Sequence, residues 1–294
     1  MKEDLLELIK KEMPAFSKGQ KAIAKYILHH YDKAAFMTAS VLGAEVGVSE
    51  STVVRFAVAL GFEGYPYLQQ ALEELIKNRL TTVQRMDIAE NYKLGDDILG
   101  GVISQDIERL RVTAEEVSRE DFYGAVESLI QAEHIYIIGG RSSAAVAQFA
   151  FFYFNHIFDS VKFVNTSSTS EMFEQIFRIN EKDVLLGVSF PRYSKKTIKA
   201  INYAKEKNAK VIALTDMKTS PIAENADYAL LARSDMNSFA DSLVAPLSII
   251  NSLLAAIGIR KKEEIKQIYS QLEQIWDEYE VFEKAEDDTT DEKI

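Results

Sequence analysis

Three short stretches carry the residue types from which an anion-binding site can be built. They are Gly139-Gly140-Arg141-Ser142-Ser143, the hydroxyl-rich run from Asn165 to Ser170, and Ser189-Phe190-Pro191-Arg192-Tyr193-Ser194, followed by Lys195, Lys196 and Thr197. Glycine lets a backbone approach a ligand closely, and a helix opening behind such a loop presents unpaired N–H groups to an anion. Serine and threonine add hydroxyl donors, and a guanidinium can hold a phosphate through two parallel bonds. A monophosphate carried on a small polyol is the ligand chemistry that fits. The candidate contacts are Gly140, Arg141, Ser142, Ser143, Thr166, Ser168, Ser189, Arg192, Tyr193 and Ser194. Each serine would equally serve as a plain helix cap, so the case rests on three such loops in one chain. The first loop matches neither GxGxxG nor the GKS or GKT end of a nucleotide-binding loop.

A second set of residues has the types and spacing to read a DNA duplex. In ASVLGAEVGVSESTVVRFAV, Ala39–Val58, glycines stand at Gly43 and Gly47 and apolar residues at Leu42, Val46, Val48, Val53 and Phe56. A small residue where two helices cross, a glycine in the turn and apolar side chains fixing the angle make the pattern of a helix-turn-helix. Ser49 is placed to cap the second helix through its hydroxyl, and Gly61 to end it. The early exposed residues of that helix, Ser49, Glu50, Ser51, Thr52 and Arg55, then face base edges and phosphates. A plain helical hairpin would need only part of this pattern. Lys18, Lys21 and Lys25 share a helical face that suits phosphates or, equally, solvent.

Groups for catalysis are not arranged in any comparable way. Aldose–ketose isomerisation needs a base that moves a proton between adjacent carbons; Glu171, Glu174 and His156 are available, none in a recognisable motif. His29, His30 and His134 read as surface or packing residues. The four histidines lack metal-ligand spacing, and the absence of cysteine excludes disulfides and thiolate metal sites. No cofactor and no metal are expected.

Positioning the three loops takes a parallel sheet. Apolar runs at 134–139, 161–164, 183–189, 210–215 and 228–231 alternate with helical segments, which predicts five parallel strands covered on both faces. Such sheets bind ligands at the C-terminal strand ends, near a reversal of strand order. Ahead of them, Ser17 opens a helix with Ile23, Tyr26, Ile27, His30 and Tyr31 on one face, and Thr38 or Ser40 caps the next. Leu68, Leu72, Leu75 and Ile76 mark a closing helix. The expected division is an all-helical domain at 1–78, a linker at 79–101, an α/β domain with flanking helices at 102–276, and a tail at 277–294. Amphipathic stretches run over 103–117 and 122–132, and Ser220-Pro221-Ile222-Ala223 is expected to begin a short helix. A segment apolar on most faces, 243–257, belongs inside the domain or between subunits, and 261–279 reads as a charged amphipathic helix. The tail holds nine acidic and two basic residues and is expected to be disordered.

At 294 residues the chain can hold two cores, and no run approaches the ~18 apolar residues of a membrane span. The opening MKEDLLELIKKEM is acidic and offers no small-residue cleavage site, so no secretion signal is read there. A cytoplasmic protein without membrane partners is expected. The net charge is −11, yet Met1 to Leu80 holds ten basic and ten acidic residues, so the excess lies in the remainder. A neutral reading head must draw affinity from local clusters and from paired copies.

With these residues in place, the chain resembles the RpiR family of bacterial transcriptional regulators over nearly its whole length. The N-terminal likeness is carried by VGVSESTVVRFAVALGFEGYPYL. The segments IYIIGGRSSAAVA, VLLGVSFPRYSKKT and VIALTDMKTSPIAENADYAL resemble the sugar isomerase (SIS) domain. The resemblance implies an α/β chain with an all-α helix-turn-helix domain followed by a five-stranded parallel α/β SIS sandwich. It implies a homodimer or homotetramer on double-stranded operator DNA, a phosphosugar effector and control of carbohydrate genes; the lack of a base in a recognisable motif argues separately against enzymatic activity. It also places Ser142 at the serine of the first SIS loop, and Ser189 and Ser194 at the first and last hydroxyl positions of the second. Two departures stand out: Ile138 replaces the first glycine of the usual GxG, and Pro191-Arg192 replace the usual Ser-Gly. Arg192 then suits a phosphate or the carboxylate of an acidic sugar. The alternatives are a sugar-phosphate isomerase with an accessory helical domain and a sensor acting through protein partners.

Overall fold

A computed structural model describes residues 5–79, 97–235 and 240–283. The chain divides into a helical N-terminal unit and a larger α/β unit.

The first unit contains α1 (Leu5–Glu12), a 3-10 turn (Met13–Ala15), α2 (Lys18–Ala34), α3 (Ala39–Val46), α4 (Glu50–Ala59) and α5 (Tyr65–Arg79). Local chemistry sets most of these ends. Ser17 and Gln20 form a reciprocal capping box at α2, and Thr38, not Ser40, caps α3 by accepting the Val41 N–H at 3.3 Å. Gly47 takes the left-handed conformation (φ 75°) that turns the chain from α3 towards α4. Gly61 (φ 87°) ends α4, with the Phe62 N–H donating to the Ala57 carbonyl and the Gly61 N–H to that of Val58, at 3.1 and 3.0 Å. Ile23, Ile27, Leu42, Val53, Phe56, Leu68 and Leu72 are fully buried and form the core. Tyr65 ties α5 to the turn before α3 by donating to the Met37 carbonyl at 2.7 Å, and burial pushes its phenol up to about 12. α2 kinks at His30 (φ −138°, ψ 39°), whose ring is exposed. The side chain of Ile76 lies outside the described residues.

The α/β unit contains α6 (Ile98–Glu116), α7 (Arg119–Gln131), β1 (Ile135–Gly139), α8 (Ser143–Ile157), β2 (Val161–Phe163), α9 (Thr169–Ile176), β3 (Val184–Val188), α10 (Lys195–Glu206), β4 (Lys210–Thr215), β5 (Tyr228–Leu231), α11 (Val244–Arg260) and α12 (Lys262–Glu278). The strands lie in the order β2-β1-β3-β4-β5, and every neighbouring pair is parallel. From β1 the chain goes to one side to make β2 and returns to the other for β3, so strand order reverses between β1 and β3. Side chains alternate across the sheet. Ile135, Ile137, Leu186 and Leu214 pack under α7, α8 and α11, while Tyr136, Ile138, Leu185 and Val211 pack under α9 and α10.

Three expectations change in detail. α6 opens at Ile98, ahead of the expected 103. Asp97 caps it by accepting the Gly100 N–H at 2.9 Å, and Gly100 and Gly101 fall in the first turn, where helical hydrogen bonding asks least of them. Ser220–Ala223 forms turns rather than a helix, closed by the Ala223 N–H on the Ser220 carbonyl at 3.0 Å. α11 buries Ala245, Pro246, Ile249, Ile250, Leu253 and Ile257 on one face, while Ile259 is exposed. Residues 80–96, including Gly95, and the tail from Lys284 lie outside the described residues. Among the described residues no single helix is long and apolar enough to cross a membrane.

Candidate effector site and nucleic-acid interface

The loops leaving β1 and β3 meet because their strands are neighbours at the reversal of strand order, Gly139 lying beside Val188. Gly140 is the point of contact. A Cβ there would lie 2.8 Å from Ser194 Oγ and 3.0 Å from Ser194 Cβ, closer than side-chain atoms pack. Ser189 is buried, and its hydroxyl accepts the Ser194 N–H at 3.0 Å; the Ser194 hydroxyl in turn accepts the Thr197 N–H at 3.3 Å, capping α10. Those two serines hold the loop's shape. Ser142 behaves differently: it is exposed, sits at helical angles and makes no capping bond through its side chain. A purely structural cap therefore does not account for Ser142. Ser143, the first residue of α8, is buried.

Arg141 and Arg192 both adopt left-handed backbone angles, φ 56° and 68°. Such a conformation costs a non-glycine residue roughly 1–2 kcal/mol and tends to persist at ligand sites. Arg141 is exposed at the head of α8, while Arg192 and Tyr193 are half-buried in the loop between Ser189 and Ser194.

The loop after β2 joins the others at the C-terminal strand ends through Lys196, whose ammonium donates to the Thr166 carbonyl. The Thr166 hydroxyl donates to the Glu171 carboxylate and accepts the Ser168 N–H at 3.0 Å. Ser168 caps α9 by accepting the Glu171 N–H at 3.3 Å. All ten candidate residues thus lie on loops at the C-terminal ends of β1, β2 and β3, or on the first turn behind them. Sequence reasoning missed two others. Lys196 joins two loops. Thr197 is fully buried beside Gly140, and its Oγ1 has no hydrogen-bond partner among the described residues. A lysine and a threonine behind a capping serine give no local signal of either role.

The groups weighed as bases scatter. Glu171 stands at the site, exposed and engaged by Thr166; Glu174 accepts from Ser170 at 3.2 Å. His156 lies at the far end of α8, with Nδ1 3.4 Å from the Tyr269 hydroxyl. His134 pairs at 2.8 Å with buried Asp183 at the N-terminal ends of β1 and β3, the opposite end of the strands from the loops. Among the described residues no group of His, Cys, Asp and Glu could hold a metal ion.

In the helical unit, α3 and α4 cross at Gly43, where a Cβ would lie 2.9 Å from the Val48 carbonyl oxygen. Val53 and Phe56 face inward, and the ring of Phe56 meets that of Phe16 edge-on at 5.1 Å. Ser49, Glu50, Ser51 and Arg55 are exposed and Thr52 is half-exposed. Ser49 holds the position before α4 but does not cap it as expected. Its hydroxyl instead lies 2.9 Å from those of Ser51 and Thr52, two short polar side chains that compete with the backbone for it. Arg55 Nε donates to the Ser51 carbonyl at 3.2 Å. Together with Ser17, Gly19, Gln20 and Val48, the residues Ser49, Thr52 and Arg55 line an open groove where the start of α2 meets α4.

A helix-turn-helix unit ahead of a doubly covered parallel sheet, with hydroxyl-lined loops at its strand reversal, defines the class of HTH-type regulators that carry a SIS domain. Residues 3–79 match the model of the helix-turn-helix domain of the rpiR family, and residues 128–256 match that of the SIS domain. The chain belongs to the RpiR family. Among its relatives, the HTH-type transcriptional regulator HexR of Escherichia coli is 26% identical over 286 residues, 92% of this chain and 95% of that protein. An uncharacterized HTH-type transcriptional regulator of Clostridium perfringens is 25% identical over 88% of this chain and 92% of its own length. Similar solved structures include the sugar isomerase domain of an RpiR transcription factor from Sphaerobacter thermophilus, 29% identical. It covers 59% of this chain and 96% of that one, with a TM-score of 0.56. The Vibrio vulnificus NanR protein complexed with ManNAc-6P shares the fold at 23% identity over 92% of this chain and 97% of that one, TM-score 0.56.

Proposed function

We propose that this chain is a transcriptional regulator whose hold on operator DNA is set by a phosphorylated sugar bound at the strand ends of its α/β unit. The carrying observation is the convergence of three hydroxyl-bearing loops at the strand reversal, in a chain that also presents Ser49, Ser51, Thr52 and Arg55 on the second helix of a helix-turn-helix. The sugar phosphate named with NanR supports the ligand class. Residues 1–78 act as the reading head, and the α/β unit, which α6 opens at Ile98 and α12 closes, acts as the sensing body. Gly140, Ser142 and Ser143 offer backbone N–H groups and hydroxyls to the phosphate, Arg141 and Arg192 its counter-charge. Thr166, Ser168, Ser189, Tyr193 and Ser194 surround the sugar. Arg55 reads a guanine, Glu50 suits a cytosine amino group, and the hydroxyls of Ser49, Ser51 and Thr52 take phosphates or bases.

The working form is a cytoplasmic homo-oligomer without enzymatic activity. Paired helix-turn-helix heads need half-sites about 34–36 Å apart, so a small ligand-driven change in their spacing alters affinity. The ligand shifts that balance only through its different affinity for the two arrangements. Genes for use of the same sugar are the expected target.

A thermal-shift screen of phosphorylated sugars and amino sugars should give a stabilising hit, and that hit should change binding to the chain's own promoter DNA. A protein that ignores such DNA at low ionic strength, with and without those sugars, would refute the reading. Arg55→Ala is expected to weaken operator binding by about 1–3 kcal/mol, with an unchanged footprint and affinity counting against the base contact. Ser142→Ala combined with Arg192→Ala should remove the ligand response and leave ligand-free DNA binding intact; equal thermal shifts in variant and parent would displace the site. Incubation with hexose and pentose phosphates should show no turnover by NMR. Turnover that disappears in Glu171→Gln would instead make the protein an isomerase.

A further inference from the structure

The outward face of α4 carries more than hydrogen-bonding groups. Val53, Phe56 and Ala57 are fully buried and set the inward direction of the helix. At 3.6 residues per turn, Ser51, Val54, Arg55 and Val58 then form the stripe that points away from the core. All four are exposed, Val54 to 38% and Val58 to 55%. The two valines stand four residues apart, so they are neighbours on that stripe and make one apolar patch. Valine suits poorly a helix face that meets only water. Its branched side chain lowers helix propensity, and such faces ordinarily carry charged or polar residues.

The surroundings of the patch indicate what it meets. Arg55 lies beside it, with Nε held on the Ser51 carbonyl at 3.2 Å, so the side chain runs along the stripe towards the start of the helix. At that start the Ser49 hydroxyl lies 2.9 Å from those of Ser51 and Thr52. An apolar patch framed by a cation and three hydroxyls matches the major groove of a duplex. There the base edges present acceptors, donors and a single kind of apolar group, the C5 methyl of thymine. Valine has neither donor nor acceptor, so against base edges it gains only from that methyl.

We propose that Val54 and Val58 select operator sequence by packing on thymine methyl groups beside the guanine that Arg55 reads. The inference rests on the regulatory reading and adds to it which apolar contacts fix the operator. Consecutive residues rise about 1.5 Å along a helix, and consecutive base pairs about 3.4 Å along a duplex. With the helix lying along the groove, Val54 meets a thymine within one base step of that guanine. Val58, about 4.5 Å beyond Arg55, meets one a step or two further on.

Uracil is thymine without the methyl, so it removes this contact and keeps every hydrogen-bonding group of the base edge. Full-length protein would first recover binding duplexes from a random pool. Each thymine of a recovered duplex would then be replaced in turn by deoxyuridine. Binding should weaken about fourfold, the effect of one buried carbon, at one or two thymines beside a required guanine in each half-site. Val54→Ser and Val58→Ser should each abolish the thymine–uracil difference at one of those positions, while dependence on the guanine persists. Serine matches valine in helix propensity and both positions are exposed, so a loss of fold would not mimic that result. Uniform tolerance of uracil, or a difference that persists in both serine variants, would overturn the thymine contacts and leave the regulatory reading standing. A pool that yields no enriched duplex, with or without phosphorylated sugars, would overturn both.

Discussion

Gly140→Val is expected to abolish the response to phosphorylated sugars, with the loss appearing as at least a 100-fold rise in effector Kd, about 2.7 kcal/mol or more. Even the first carbon of a side chain at Gly140 would stand 2.8 Å from Ser194 Oγ. Ser194 cannot yield cheaply: its N–H is held by Ser189, and its hydroxyl caps α10 by accepting from Thr197. Moving it breaks both bonds or pushes apart the loops behind β1 and β3, and the valine methyls then fill the space where a phosphate would approach the backbone. Overpacking of this kind typically costs ~1–3 kcal/mol of stability as well. Calorimetric titration with the screened sugar phosphate, alongside an operator-binding assay, separates the two effects. Effector affinity should collapse while ligand-free DNA binding survives; retained effector affinity would show that the ligand does not enter between these loops.

The second large effect is expected in the helical unit. Alanine is the better helix former by about 1 kcal/mol, so Gly→Ala inside a helix ordinarily stabilises. At Gly43 the sign should reverse. The new Cβ would stand 2.9 Å from the Val48 carbonyl oxygen and 3.3 Å from the Glu50 nitrogen, both backbone atoms of the turn that aims α4. That turn is further held by the Val48 N–H on the Gly43 carbonyl at 2.8 Å. Gly43→Ala should therefore destabilise the N-terminal unit by about 1–3 kcal/mol and re-aim α4 enough to lower operator affinity at least tenfold. The same chain supplies its control. Gly258 lies within α11 with nothing inside 4 Å of its would-be Cβ, and Gly258→Ala should be neutral or stabilising by up to ~1 kcal/mol. Chemical denaturation of both variants checks the contrast; a stabilised Gly43→Ala would mean that α3 and α4 do not cross this tightly.

Much of the architecture is legible in the residue order because it rests on local chemistry. Caps at Ser17, Thr38, Ser168 and Ser194 are read from short polar residues ahead of apolar periodicity. Gly47 and Gly61 are read from the need for a left-handed residue where a helix ends. The five strands stand out as short apolar runs between helical ones. Errors arose where non-local or competing contacts decide. Ser49 looks like a cap, yet its hydroxyl goes to its neighbours Ser51 and Thr52.

By itself, then, the amino-acid order determined the helix-turn-helix with its glycine turn, the parallel α/β body and the serine- and arginine-bearing loops. Each of these follows from periodicity, capping and backbone freedom within a few residues. Tertiary structure alone decided that Gly140 sits against Ser194 and that Lys196 reaches Thr166. It also decided that Thr197 Oγ1 is buried beside Gly140 with no partner among the described residues. Those contacts join residues about 30 to 55 positions apart, brought together by the strand order β2-β1-β3-β4-β5. No spacing along the chain encodes such neighbours, because they arise only when the sheet reverses its order between β1 and β3.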